Sequence, residues 1–274
     1  MQLYKALVSA SALPLFLLGQ SPMAVAEEEF CYQGDGNCLP PTKWTDVCVE
    51  GNFNEQSPID IRDSEVARLP PLVERYEEHD EITVITNGHT LEVEPPEGDE
   101  LLVINEKRCE LTQFHFHSRS EHNVGGVSFP MEAHLVHQCD DQGLLVIGVL
   151  LDYLEDEPNR ALGAALENAA RDGDDGNFVV DTLTTPDVHY SAEDLLPHPL
   201  SRYFNYPGSL TTPPCSETVD WYVMKEPISV SEEQVEEFRQ LLSDTSPDGA
   251  SFNNRPLQDL GDRTVERRGG SLPF

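Results

Sequence analysis

QFHFHSRSEH, residues 113–122, sets His115 and His117 two positions apart, with Phe114 and Phe116 alternating between them. Successive side chains of a β-strand face opposite sides, so Gln113, His115 and His117 share one face and the two phenylalanines take the other. Two imidazoles at this spacing can reach one metal ion, but an isolated pair is a weak signal, because most such histidines belong to a core or a surface. The next alternating stretch, MEAHLVHQ (131–138), puts Glu132, His134 and Val136 on one face and His137 on the other. The segment from Ser118 to Pro130 suits a connection between neighbouring antiparallel strands. If those strands pair, His134 comes beside His115 and His117. Three neutral imidazoles from two adjacent strands leave a tetrahedral ion one open position, the arrangement of a catalytic zinc site rather than a closed, cysteine-rich structural one. Gln113 and Glu132 then lie near the rings and can accept their second N–H protons.

Further strands are read outward from this pair in EITVIT (81–86), TLEVE (90–94), ELTQFHFH (110–117), LLVIGVLL (144–151) and VDWYVMK (219–225). Turn signals such as Asn87-Gly88, Pro95-Pro96 and Gln142-Gly143 separate them. Two helices are expected: NRALGAALENAAR (159–171), rich in helix formers, and SEEQVEEFRQLL (231–242), which opens with a Ser-x-x-Gln capping box. No repeat, low-complexity tract or interdomain linker is visible. The fold class is mainly β: one sheet-dominated domain with a few peripheral helices.

Residues 1–26 have the pattern of a cleaved signal peptide: Lys5, an apolar run interrupted by Ser9, Ser11 and Pro14, and AVA before EEE. The run is too short for a comfortable membrane span. The mature domain, 27–274, is therefore expected to be soluble and exported, secreted or periplasmic, with no membrane anchor. Export makes disulfides the favoured use of the six cysteines, whose spacing contains no C-x-x-C. Their pairing stays open. Cys31 and Cys38 are close enough to close a short local loop. Residue numbers across an antiparallel ladder sum to a near-constant, and Cys109 with Cys139 falls one short of His115 with His134. Those thiols can face one another, a pairing that a one-residue register error would defeat.

Fifty acidic residues stand against 17 basic ones, a net charge of −33 that becomes −34 when Lys5 leaves with the leader. The excess is spread along the chain. Such a surface repels a phosphate backbone and disfavours nucleic acid as a partner. It suits high salt: at about 1 M the Debye length is about 3 Å, and self-repulsion is screened.

QFHFHSRSEHNV, EAHLVH, NEQSPIDI, NGHTLEV, YPGSLTTPPCSETVDW and KEPISVS occur in an order that resembles the alpha-class carbonic anhydrases. The resemblance runs from about Phe30 to Pro256, nearly the whole mature chain. It implies a mostly antiparallel twisted sheet of about ten strands with zinc in a central conical cleft. It also implies reversible hydration of carbon dioxide to bicarbonate and a proton, by attack of zinc-bound hydroxide. By resemblance, His115, His117 and His134 are the Zn2+ ligands. Thr211 accepts a hydrogen bond from the hydroxide and passes its own proton to Glu121. His89 shuttles the product proton, a task suited to an imidazole's ordinary pKa near 6.5. Val136, Val146, Leu210 and Trp221 form the apolar wall for carbon dioxide, Thr212 is a second substrate contact, and Gln113, Glu132 and Asn253 are outer partners. Tyr32 loosely matches a tyrosine that orders active-site water. Cys48 and Cys215 match the disulfide of many secreted members.

The chain departs from the family at Ser118, where tryptophan is common, and at Glu92, where a neutral amide is common and a carboxylate near His89 raises that histidine's pKa. Its N-terminal segment with Cys31 and Cys38 is also unlike the shorter cytosolic forms. Two rivals are a ligand-binding module on the same scaffold and a zinc hydrolase acting on esters. The first is disfavoured by the complete ligand set, the second by the lack of a Ser-His-Asp motif. Monomer and dimer are both left open.

Overall fold

A computed structural model describes residues 30–268, apart from 35–37, 49–52, 99–100, 105, 155–156 and 174–175. The expected leader, 1–26, lies outside the described residues. Eight longer strands build most of one sheet: β1 (His79–Thr86), β2 (Leu91–Glu94), β3 (Lys107–Ser118), β4 (Met131–Cys139), β5 (Leu144–Asp152), β6 (Asp181–Tyr190), β7 (Tyr203–Gly208) and β8 (Val219–Met224). They lie in the order β6-β1-β2-β3-β4-β5-β8-β7, continued by the short strands Glu266–Arg268 and Glu65–Ala67. Three further short strands, Val73–Arg75, Leu101–Ile104 and Ile228–Ser229, bring the sheet to 13 strands. The count exceeds the expected ten or so because these short segments carry too little alternation to be read as strands. Most ladders are antiparallel, whereas β5 runs parallel to β8.

The register of β3 and β4 positions the site. His115 is the ladder partner of His134, and Cys109 of Cys139. The two pairs differ by one residue because the register shifts between Leu111 and Gln113. Such a bulge inserts an extra residue in one strand and bends it. The shift lets the histidine pair and the cysteine pair both face one another, and Cys109–Cys139 is a disulfide. Cys31–Cys38 and Cys48–Cys215 are the others.

The alternation of β3 divides the core. Phe114 and Phe116 are fully buried in the larger apolar cluster, and Phe116 meets Phe238 of α2 (Glu232–Thr245). Helix α1 (Arg160–Glu167) adds Ala161, Leu162, Ala165 and Leu166 to the same cluster. On the histidine face a smaller cluster holds Val146, Trp221 and Val223, with Val136 and Leu210 packed against it. Burial of each apolar side chain contributes about 1.5–3 kcal/mol, so both faces of this strand are tied to a core.

Two helix expectations need correction. The first helix stops at Glu167 rather than 171, because after the Asn168 cap the chain turns away and bridges Arg171 to Phe178. The capping box at α2 is only half formed. Ser231 Oγ accepts from Gln234 N–H, but the Gln234 side chain turns to the Asn159 main chain, accepting from its N–H at 2.7 Å and donating to its carbonyl at 2.7 Å. Asn159 is the N-cap of α1, so Gln234 fastens the two helices together instead of closing its own box.

Candidate metal centre

β3 supplies His115 and His117 and β4 supplies His134. One nitrogen from each ring lies within 4.8 Å of the others. The ring centroids are 4.5 to 5.1 Å apart. In each ring the other nitrogen is taken. His115 Nδ1 meets Gln113 Oε1 at 2.7 Å, His117 Nδ1 meets the Asn253 carbonyl at 2.9 Å, and His134 Nε2 meets Glu132 Oε1 at 2.9 Å. Each acceptor fixes a proton on its side, leaving lone pairs on His115 Nε2, His117 Nε2 and His134 Nδ1. His117 Nε2 is buried and has no hydrogen-bond partner among the described residues.

The electrostatics favour neutral rings. Burial, then the like charges of His117 and His134, hold the His115 imidazole well below its ordinary pKa. Burial outweighs the Glu121 charge at His117 and lowers it as well. Burial also pushes the Glu132 carboxyl up, but the neighbouring His122 and the hydrogen bonds from His122 and His134 outweigh it and keep Glu132 well below the usual carboxylate range. Three neutral nitrogen donors backed by fixed acceptors fit a borderline-soft divalent ion such as zinc.

Further residues complete the surroundings. Glu121 is buried; Oε1 accepts from Arg255 N–H at 2.8 Å, and Oε2 has no hydrogen-bond partner among the described residues. Thr211 is buried on the loop after β7, and Thr212 accepts from Cys215 N–H through its carbonyl. Val136, Val146 and Trp221 occupy one row across β4, β5 and β8. That row abuts the row of histidines, with the Trp221 and His134 rings 4.8 Å apart. His89 follows a turn in which Asn87 Oδ1 accepts from the N–H groups of His89 and Thr90, and its ring stacks on Phe30 at 4.0 Å. Asn253 ties this turn to β3, donating to the carbonyls of His89 and Phe116. Tyr32 is buried beside Phe30 and Trp44; burial, then the Glu121 charge, raise its hydroxyl well above its ordinary pKa.

Sequence reading passed over three residues here. His122 donates from Nδ1 to Glu132 Oε1 at 2.7 Å and accepts at Nε2 from the Tyr206 hydroxyl at 2.6 Å. It lies just beyond β3, where strand alternation assigns no face. Arg255 sits in an irregular segment with no periodic signal. Gly148 lies in an apolar run, yet a Cβ there would meet Glu132 Oε1 at 3.0 Å and the Trp221 ring at 3.5 Å. Its smallness lets the carboxylate reach His134. The buried Ser118 Oγ accepts from Arg239 Nε of α2 at 3.2 Å, and its N–H donates to Asn253 Oδ1 at 2.8 Å.

The model of the eukaryotic-type carbonic anhydrase family matches residues 39–269. A carbonic anhydrase of Pectobacterium carotovorum is 34% identical over 238 residues, covering 85% of this chain and 88% of its own length. Carbonic anhydrase 7 of Homo sapiens is 35% identical over 264 residues, covering 85% and 94%. The structure of a Photobacterium profundum alpha-carbonic anhydrase superposes with a TM-score of 0.73 at 34% identity, covering 87% of this chain and all of that one. With a match across nearly the whole described chain, and three imidazoles converging on one point of the sheet, this chain belongs to the eukaryotic-type carbonic anhydrase family.

Proposed function

We propose that His115, His117 and His134 hold a zinc ion for the reaction this chain catalyses, the reversible hydration of carbon dioxide to bicarbonate and a proton. The observation that carries the zinc assignment is the polarity of the rings. Each donates outward to a fixed acceptor, and the buried Nε2 of His117 is left without a hydrogen-bond partner among the described residues. When bound, zinc supplies Lewis acidity that in this family lowers the pKa of a water to about 7.

The chain's own residues supply direction. Thr211 would donate its hydroxyl hydrogen to Glu121, whose Oε2 no other described group occupies, and its oxygen could then only accept, which would turn the lone pair of the attacking oxygen toward carbon dioxide. Val136, Val146, Leu210 and Trp221 offer the substrate an apolar wall, which suits a molecule with no hydrogen to donate. Thr212 contacts the substrate from the same loop. His89 carries the product proton from the site to buffer. Gln113, Glu132 and Asn253 hold the three ligand rings in the required tautomers.

Three disulfides support export, and the excess of acidic residues supports a working environment of high salt. Among the described residues no helix is long and apolar enough to cross a membrane. Cobalt substitution tests the ligand assignment. The purified protein is expected to take up one cobalt ion per chain and to show the strong visible absorption of a four-coordinate ion. A weak six-coordinate spectrum, or none, would remove the assignment.

A further inference from the structure

His115 is held differently from its two companions. His134 donates to a carboxylate and His117 to a main-chain carbonyl, groups that can only accept, so their protons are fixed. His115 Nδ1 faces the side-chain amide of Gln113, which can present either its oxygen or its NH2. With the NH2 turned inward, Gln113 would donate to His115 Nδ1. The ring proton would then sit on Nε2, where the lone pair for the metal is needed. Something must choose the orientation of this amide. Glu92, the ladder partner of His115 on β2, places Oε2 3.3 Å from Gln113 Nε2. An ionised carboxylate can only accept, so it draws the NH2 to itself and leaves Gln113 Oε1 facing His115. The neutral amide common at this position in the family can donate as well as accept, and imposes no such choice.

We propose that Glu92 is a positioning residue of the metal centre, which selects the Nδ1–H tautomer of His115 through Gln113 and so keeps Nε2 open. The inference rests on the zinc reading of the site. The order of acceptors is then carboxylate, amide, imidazole, metal. It anchors the third ligand as Glu132 and the Asn253 carbonyl anchor the other two.

The test compares wild type with Glu92→Gln and Glu92→Ala at about pH 8.5. In zinc-free protein labelled with nitrogen-15, two-bond nitrogen–proton correlations report the His115 tautomer. Wild type is expected to be in the Nδ1–H form, and both variants to populate the Nε2–H form. Zinc release to a chelator is expected to be about 3–10-fold faster in both variants, less than the 10–100-fold typical of a residue one bond closer to the metal. Melting temperatures of the zinc-free proteins should agree within about 2 °C, which separates a tautomer effect from loss of fold. An unchanged tautomer and an unchanged release rate in Glu92→Gln would overturn the proposal. Failure of wild type to bind one zinc per chain would instead overturn the zinc reading beneath it.

Discussion

His134 and His137 lie three residues apart on β4, both buried, on opposite faces of the sheet. Composition and burial do not distinguish them; their leftover hydrogen-bonding capacity does. His137 Nε2 accepts from the Tyr76 hydroxyl at 2.5 Å and Nδ1 meets the Leu145 carbonyl at 3.3 Å, so both nitrogens are satisfied within the protein. His134 spends one nitrogen on Glu132, and the other joins a group of three within 4.8 Å. A buried histidine is a structural residue when its partners account for both nitrogens. It becomes a ligand when several rings leave a lone pair at one place.

The largest effect that can break this comparison is on turnover. His117→Ala or His134→Ala should lower carbon dioxide hydration on the order of 10³-fold or more, since activation of water by the ion is lost. His137→Phe should leave turnover within about twofold. Stopped-flow rates on zinc-loaded proteins check both, and a large loss in His137→Phe would erase the distinction.

Next in size is the pH effect that the structural histidine contributes. Burial lowers the His137 pKa from 6.5 to about 4. Between those values the unfolded chain takes up a proton that the folded chain refuses. The contribution of this group to stability is therefore full above about pH 6.5 and falls by about 3 kcal/mol as the pH drops toward 4. Urea unfolding at a series of pH values should show a shallower fall in His137→Phe than in wild type. Parallel profiles would contradict the assignment.

A smaller effect separates the partners. Glu132→Gln should weaken zinc binding about 10–100-fold, as expected for a group that holds a ligand's tautomer. Tyr76→Phe removes the donor to His137 and should leave zinc affinity unchanged. Competition with a chromophoric chelator measures both. Smallest is the response to salt, which acts on neither buried ring. The melting temperature should rise by a few degrees between about 0.1 and 2 M sodium chloride while zinc affinity stays constant. A fall in melting temperature would remove the high-salt reading of the acidic surface.

Much of the site could be read from alternation because its three histidines lie on two regular, adjacent strands. Period-two spacing assigns faces, and the ladder then sets His115 opposite His134. The register shift near Thr112 carries no glycine or proline, so the sequence does not announce it, and Cys109–Cys139 looked one residue out of step. Strand β6 was missed because it is an exposed edge with threonines, aspartates and Pro186 in place of an apolar face. Strand β7 was missed because Pro207 and Gly208 give its end the look of a turn. Thr211, Glu121 and His89 lie outside regular strands, so their roles came from resemblance alone. Glu92 was visible as an unusual charge, but its turn toward Gln113 depends on side-chain packing that periodicity does not encode.

The most direct test of the central claim is stopped-flow carbon dioxide hydration on the purified protein, as isolated, after zinc removal, and after zinc is restored. Three lone pairs meeting at one point predict activity that disappears with the metal and returns with one equivalent of zinc. Activity that survives complete removal, or a folded, zinc-loaded protein with none, would contradict the account.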